Sequence, residues 1–256
     1  MSRTIQIMAI VLIIAGLLYK AFPFFRRMKG TLRKIHINPA ASPDNGQYRQ
    51  LALGAVYSEQ QSAFINSLTT GIPVFEIKSM LANWWGIHDA ASAKEALDSL
   101  LDNTLNSVFP VVMKSYRKQD ISIIAAEIQD AKKAEKAYAQ FDNLADVLND
   151  LKQDDMVAGI DDVERIGSDA WELGRAVYVT RLCFDAGFVS ETEAWNYIGE
   201  AHKMAKQKFM NWQDFGYSYA IGRALWSGKD SANSGIAYIV KYLLTESQSP
   251  WLKLTW

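Results

Sequence analysis

Two short stretches repeat one pattern. Leu173-Gly174-Arg175-Ala176-Val177-Tyr178 and Ile221-Gly222-Arg223-Ala224-Leu225-Trp226 each read apolar, glycine, arginine, alanine, apolar, aromatic. Both fall where apolar residues recur at three- and four-residue spacing, which predicts helices. A glycine inside a helix costs about 1 kcal/mol against alanine, so its presence predicts close approach of another backbone or a large ring. The arginine beside it is then partly buried and needs a partner, and Glu172, Asp185 and Asp214 are the acids nearest in sequence. Two chemistries are open. In one, Arg175 and Arg223 form internal ion pairs that fix helix register. In the other they converge, flanked by Trp171, Tyr178, Trp195, Trp212 and Trp226, as a cleft for a phosphate or carboxylate with an aromatic wall. Glu172 would then orient the ligand or act as general base, with Trp195 or Trp226 as walls.

The familiar catalytic motifs fail. The chain has 3 histidines, His36, His88 and His202, none at metal-ligand spacing to another, and neither HExxH nor Glu-x-x-His occurs, so no metal site is expected. Gly216-Tyr217-Ser218-Tyr219-Ala220 lacks the second glycine of a nucleophile elbow and falls within a predicted helix. Gly222 to Lys229 has one residue too many for a phosphate-binding loop, and Asp230 stands where the magnesium-binding Ser or Thr belongs. Asp154/Asp155 and Asp161/Asp162 lack calcium-loop spacing. The single cysteine, Cys183, lies between Leu182 and Phe184 and reads as a buried structural thiol, compatible with a reducing compartment. No cofactor is implied.

The elements that must position the arginines follow from composition and punctuation. A hydrophobic fraction of 49% with 6 prolines describes a folded chain, and alternating strand-like runs are almost absent apart from Ile72 to Ile77. The fold expected is all-α: a single multi-helix globular domain with one N-terminal transmembrane helix. Helices are predicted near 48–69, 76–84, 92–106 with Ser92 and Glu95 as capping box, 109–136 and 138–152. The charged stretch 131–155, with Ala134, Tyr138, Phe141, Leu144 and Leu148 as its apolar stripe, reads as a solvated amphipathic helical hairpin, with docking of a partner helix as the alternative. Ser190 with Glu193 forms a second capping box, and Gly187 is placed to end the preceding helix. Asn211 with Asp214 starts a helix running through Trp226 to a stop at Gly228, and a last helix runs from about 234 to 244. Most of the 8 tryptophans are expected to fill the core.

Charge is divided unevenly along the chain. Of its 27 basic side chains, seven lie in residues 1–35, which hold no acid, leaving 20 against 28 acidic ones in the rest. An acidic domain has no electrostatic footprint for nucleic acid, so none is expected as partner. Ile5 to Tyr19, extended through Phe25, is apolar enough to span a membrane: Thr4 to Phe25 covers roughly 33 Å as a helix against a hydrocarbon core of about 30 Å. One arginine precedes Ile5 and six basic residues follow Tyr19, the reverse of a cleaved signal peptide. The chain thus reads as a single-pass protein of the inner (cytoplasmic) membrane with its C-terminal domain in the cytoplasm. Residues 1–35 form the anchor and basic juxtamembrane segment, 36–47 a linker rich in turn signals, and 48–256 the helical domain.

Trp84-Trp85-Gly86-Ile87, Ala170-Trp171-Glu172-Leu173-Gly174-Arg175-Ala176, Ala186-Gly187-Phe188-Val189 with Glu193-Ala194-Trp195, and Gly222-Arg223-Ala224-Leu225-Trp226 together resemble a bacterial family known as domain of unknown function 1266. The resemblance spans roughly residues 50–255 and leaves the anchor outside. Glu172 stands where the family's Trp-x-x-x-Arg motif often carries aspartate, which keeps an acid–arginine pair possible and changes its reach. The family name implies no activity, and fold analogy supplies none. Two functions remain: a non-catalytic, membrane-tethered module that binds a protein partner through its helices, and an enzyme or sensor that holds a small anionic ligand through Arg175 and Arg223. A third, scaffolding through the anchor, finds no GxxxG support around the lone Gly16.

Overall fold

Ala170–Asp185 and Trp212–Ser227 have almost no polar face, and a helix apolar on all sides must be surrounded by others. These two helices form the centre of the computed structural model, which describes residues 34–105 and 107–256 and in which His36–Trp256 is one compact unit. In chain order the helices among the described residues are α1 Asn45–Ala52, α2 Ala55–Gln60, α3 Val74–Trp85, α4 Ala90–Leu105, α5 Phe109–Lys118, α6 Ser122–Glu127 and α7 Ala131–Gln153. They continue with α8 Ile160–Ile166, α9 Ala170–Asp185, α10 Glu191–Lys208, α11 Trp212–Ser227, α12 Ala232–Thr245 and α13 Pro250–Lys253. Helix α9 packs on α2, α3, α4, α10 and α11, while α11 packs on α7, α8, α9 and α12. No strand occurs among the described residues.

The crossing of α9 and α11 explains the two mid-helix glycines. A Cβ on Gly174 would lie 2.7 Å from the Tyr219 ring and 3.1 Å from the Leu53 carbonyl oxygen. A Cβ on Gly222 would lie 2.4 Å from the Ser168 carbonyl oxygen and 2.5 Å from the Trp171 Cβ. Each glycine thus admits the other helix's neighbourhood, and the arginine after each is carried to the same crossing.

Local punctuation holds well in the C-terminal half. Ser190 and Glu193 make the reciprocal capping box of α10, and Gly187 just beyond α9 has φ +77°. Asn211 caps α11, its side chain accepting the Asp214 N–H, and Gly228 follows the last turn. Helix boundaries elsewhere depart from expectation. The predicted 48–69 helix is two short ones, α1 and α2, followed by a loop over 62–72 in which Ser62 and Gly71 take positive φ. Helix α4 is capped by Asp89, whose carboxylate accepts the Ser92 N–H at 2.8 Å, so Ser92 lies inside the helix rather than at its cap. The predicted 109–136 helix breaks after Lys118, where Gln119 turns left-handed at φ 52°, and again after Glu127.

The 131–153 stretch is one helix of 23 residues, not a hairpin; Asp130 caps it through the Lys133 N–H, and nothing within it favours a turn. Its buried stripe is Ala137, Leu144, Val147 and Leu151, with Tyr138 and Phe141 joining Val108, Val112 and Ile124 in a satellite core. The 72–77 stretch is not a strand; Pro73 stands at the N-cap of α3, and 74–77 are helical. Within the 36–47 segment, Asn38 and Asn66 exchange hydrogen bonds, the Asn38 N–H donating to Asn66 Oδ1 at 2.7 Å and Asn66 Nδ2 donating back to the Asn38 carbonyl at 3.0 Å. No helix among the described residues is long and apolar enough to cross a membrane, and the expected span, 5–25, lies outside them.

Candidate functional site

Arg175 and Arg223 meet around Trp171, one turn below Arg175 on α9. The Trp171 ring centroid lies 4.6 Å from the Arg175 Cζ and 5.7 Å from the Arg223 Cζ. Arg175 also lies 5.4 Å from the Trp85 ring, and Arg223 5.0 Å from the Trp226 ring. Tyr219 meets Trp171 edge-on at 5.0 Å, and Tyr57, from α2, stacks on Tyr178 at 4.3 Å. The result is a core of two guanidiniums within an aromatic shell, a setting in which cation–π attraction adds on the order of 0.5–2 kcal/mol per contact.

Each guanidinium has one acid. Arg175 Nη2 pairs closely with Glu172 Oε2, and Glu172 Oε1 also accepts from Lys136 Nζ at 3.4 Å. Arg223 Nη2 pairs with Asp230 Oδ2 at 2.9 Å. The pairs do not satisfy the arginines. Six buried polar atoms of the cluster find no hydrogen-bond partner among the described residues: Arg175 Nε, Arg223 Nη1, the indole N–H groups of Trp85 and Trp171, and the hydroxyls of Tyr178 and Tyr219. All six are donors, and a buried donor left unpaired costs about 1–3 kcal/mol.

The electrostatics place the polar heads together. Burial raises the pKa of Tyr57, and the charges of Arg175 and Arg223 pull it back down. Burial holds Tyr219 well above the usual phenol range, again against the pull of both arginines. Both guanidiniums therefore act on the same two hydroxyls, which stay protonated and able to donate. Among the described residues, three cations, Lys136, Arg175 and Arg223, face two carboxylates, Glu172 and Asp230, leaving one positive charge in excess. The cluster reaches solvent at Trp226, which is 59% exposed. Two surface grooves, one of about 390 Å3 including Lys94, Phe188, Glu193 and Tyr197, the other including Asp162 and Arg165, touch neither arginine.

Of the residues the sequence singled out, Arg175, Arg223, Glu172 and Trp226 come together, with Trp171 and Tyr178 beside them. Trp195 does not: it sits on α10, with its indole N–H directed to Glu191 of its own helix at 3.4 Å. Trp212 belongs to a second aromatic cluster with Phe209, Phe215, Trp251 and Trp256. There the indole N–H groups are paired, Trp212 with the Leu254 carbonyl at 2.9 Å, Trp251 with Ala52 at 2.9 Å and Trp256 with Phe209 at 2.7 Å. Asp185 and Asp214 do not serve the two arginines; Asp185 accepts the Thr70 N–H at 2.7 Å, and Asp214 faces Arg165 at 3.4 Å. Sequence reasoning missed Tyr57, Tyr219, Lys136 and Asp230. Tyr219 alone left a trace, three residues before Gly222 and so on the same helical face.

Nucleophilic chemistry has little to work with at this site. Ser218 is committed to accepting the Ala170 N–H at 3.2 Å, and burial pushes the Cys183 thiol up to about 12. Among the described residues no group of His, Cys, Asp and Glu has metal-ligand geometry. The arrangement is suited to binding an anion.

No curated protein and no solved structure matches the chain. The family described as "Protein of unknown function (DUF1266)" matches residues 80–256, a span that includes Trp85, Trp171, Arg175, Arg223 and Trp226 but not Tyr57, and the chain belongs to that family.

Proposed function

We propose that the helical domain is a receptor for a small anion held between Arg175 and Arg223. The observation that carries this reading is the surplus of donors: six buried, unpartnered donor groups around two guanidiniums, of which an internal ion-pair network alone needs none. An anion accepts such donors and neutralises the excess charge, and in a low-dielectric setting charge-assisted hydrogen bonds are the strong ones. A protein-docking face has less behind it. Of the exposed apolar residues of α3, Val74, Phe75 and Trp84, the two largest, Phe75 and Trp84, are nine positions apart on the helix and so point to opposite sides. The same reading keeps residues 5–25 as a membrane anchor with the domain on the cytoplasmic face; accessibility of the domain to protease in intact cells tests that orientation.

The test is a thermal melt of the full chain in mild detergent with inorganic phosphate, sulfate and acetate, alongside Arg175→Gln and Arg223→Gln. An anion at one hundred times its dissociation constant adds about 2.7 kcal/mol, on the order of 5–11 °C for a domain of this size. The expected result is a shift in the parent chain that both variants lose. No shift with any anion overturns the reading.

A further inference from the structure

We infer that the anion is a phosphate monoester bearing a planar ring, with its phosphate on Arg175, Arg223 and Tyr219 and its ring against Trp226. This rests on the anion-receptor reading and adds the chemical class of the ligand. The first argument is capacity. A carboxylate has two oxygens and about four lone-pair sites, whereas the residues packed on the two guanidiniums hold five unpartnered donors, Arg175 Nε, Arg223 Nη1, the Tyr219 hydroxyl and the indole N–H groups of Trp85 and Trp171. The three terminal oxygens of a phosphate monoester accept more.

The second argument is charge. With Asp230 in place the cluster carries one excess positive charge. Asp230 is also the more exposed of the two acids, its side chain 38% exposed against 11% for Glu172, so it is the one an incoming anion can displace from Arg223. Displacement raises the excess to two, which a phosphate monoester carrying about −1.5 to −2 at pH 7 neutralises and a carboxylate does not.

The third argument is the position of Trp226. It follows Arg223 by three residues at the end of α11, its ring 5.0 Å from the Arg223 Cζ and 6.1 Å from Trp171, yet more than half of it faces solvent. A flat apolar surface beside a guanidinium, open on one side, is a stacking platform for a ring joined to the phosphate by a short spacer. Stacking of a nucleobase on an aromatic side chain is worth enough to be read in affinity.

Titration of the full chain with ribose 5-phosphate, adenosine 5′-monophosphate, phenyl phosphate and benzoate tests this, read by calorimetry and by quenching of tryptophan fluorescence. Both ring-bearing phosphates are expected to bind at least tenfold more tightly than ribose 5-phosphate, and Trp226→Ala to remove that advantage while Trp226→Phe keeps most of it. Equal affinity for ring-bearing and ring-free phosphates overturns the inference and leaves the anion receptor standing. Tighter binding of benzoate than of phenyl phosphate overturns the phosphate assignment in the same way. Failure of every anion to bind removes both.

Discussion

Helix α9 buries two arginines in opposite ways. Arg181 is fully buried and every nitrogen of its guanidinium has a partner: Nη1 donates to Ser58 Oγ at 2.8 Å, Nε to the Leu68 carbonyl at 3.3 Å, and Nη2 to the carbonyls of Thr69, at 3.2 Å, and Phe64. No carboxylate touches it; burial lowers its pKa to about 10, with the phenol of Tyr178 and the carboxylate of Asp185 opposing, so it remains charged at neutral pH. Arg175, six residues earlier, has an acid and an aromatic shell but keeps an unpartnered Nε, and Arg223 across the helix crossing keeps an unpartnered Nη1. A guanidinium with every acceptor supplied by its own chain is a strut. One with donors to spare is what the proposed anion would occupy.

The largest expected effect falls on the strut. Arg181→Met leaves Ser58 Oγ and the carbonyls of the 62–72 loop without their donor, and should cost about 3–5 kcal/mol in urea denaturation, because each buried acceptor left unpaired costs about 1–3 kcal/mol. Any fraction that folds should keep its phosphate response. The glycines of the crossing come next. Gly222→Ala meets backbone at 2.4 Å and should cost about 1–3 kcal/mol, whereas Gly199→Ala, in α10 with open space at its Cβ, should gain about 0.5–1 kcal/mol by helix propensity.

Arg175→Gln and Arg223→Gln should stay within about 1 kcal/mol of the parent chain, because each removes unpaired donors along with an ion pair. A loss as large as that of Arg181→Met would make all three arginines struts and erase the contrast. The smallest effect isolates pH. His202 is held below its ordinary value by burial and by the nearby charges of Lys206 and Arg49. A depressed histidine contributes stability that is complete above about pH 6.5 and is lost as pH falls through the lowered folded value. His202→Gln should flatten that slope in urea denaturation followed across about pH 5 to 8.

The sequence made the crossing legible through its two glycines: a residue that weakens a helix must be there to admit something, and the structure supplies a ring to one and a backbone carbonyl to the other. It also made the arginines' partial burial legible. Their partners were not, because the choice between Asp185 and Glu172 depends on which turn faces α7, and Asp230 arrives from a loop beyond the helix end. Tyr57 and Trp85 come from elements more than eighty residues from Arg175, and no local pattern signals that distance. The one long helix at 131–153 reads from sequence as a hairpin, although a sparse apolar stripe with charge on the solvent side is equally compatible with an unbroken helix. Arg181 drew no notice at all, since nothing near it in sequence forecasts a loop that needs its carbonyls held.

Arg181 also sets an order of events during synthesis. The carbonyls it gathers at Phe64, Leu68 and Thr69 lie 112 to 117 residues upstream. At about 5–20 residues per second, the 62–72 loop emerges roughly 6–23 s before the side chain that closes it exists. For that interval the first third of the domain has its polar backbone in water and no partner for it, a window in which a nascent chain depends on being shielded.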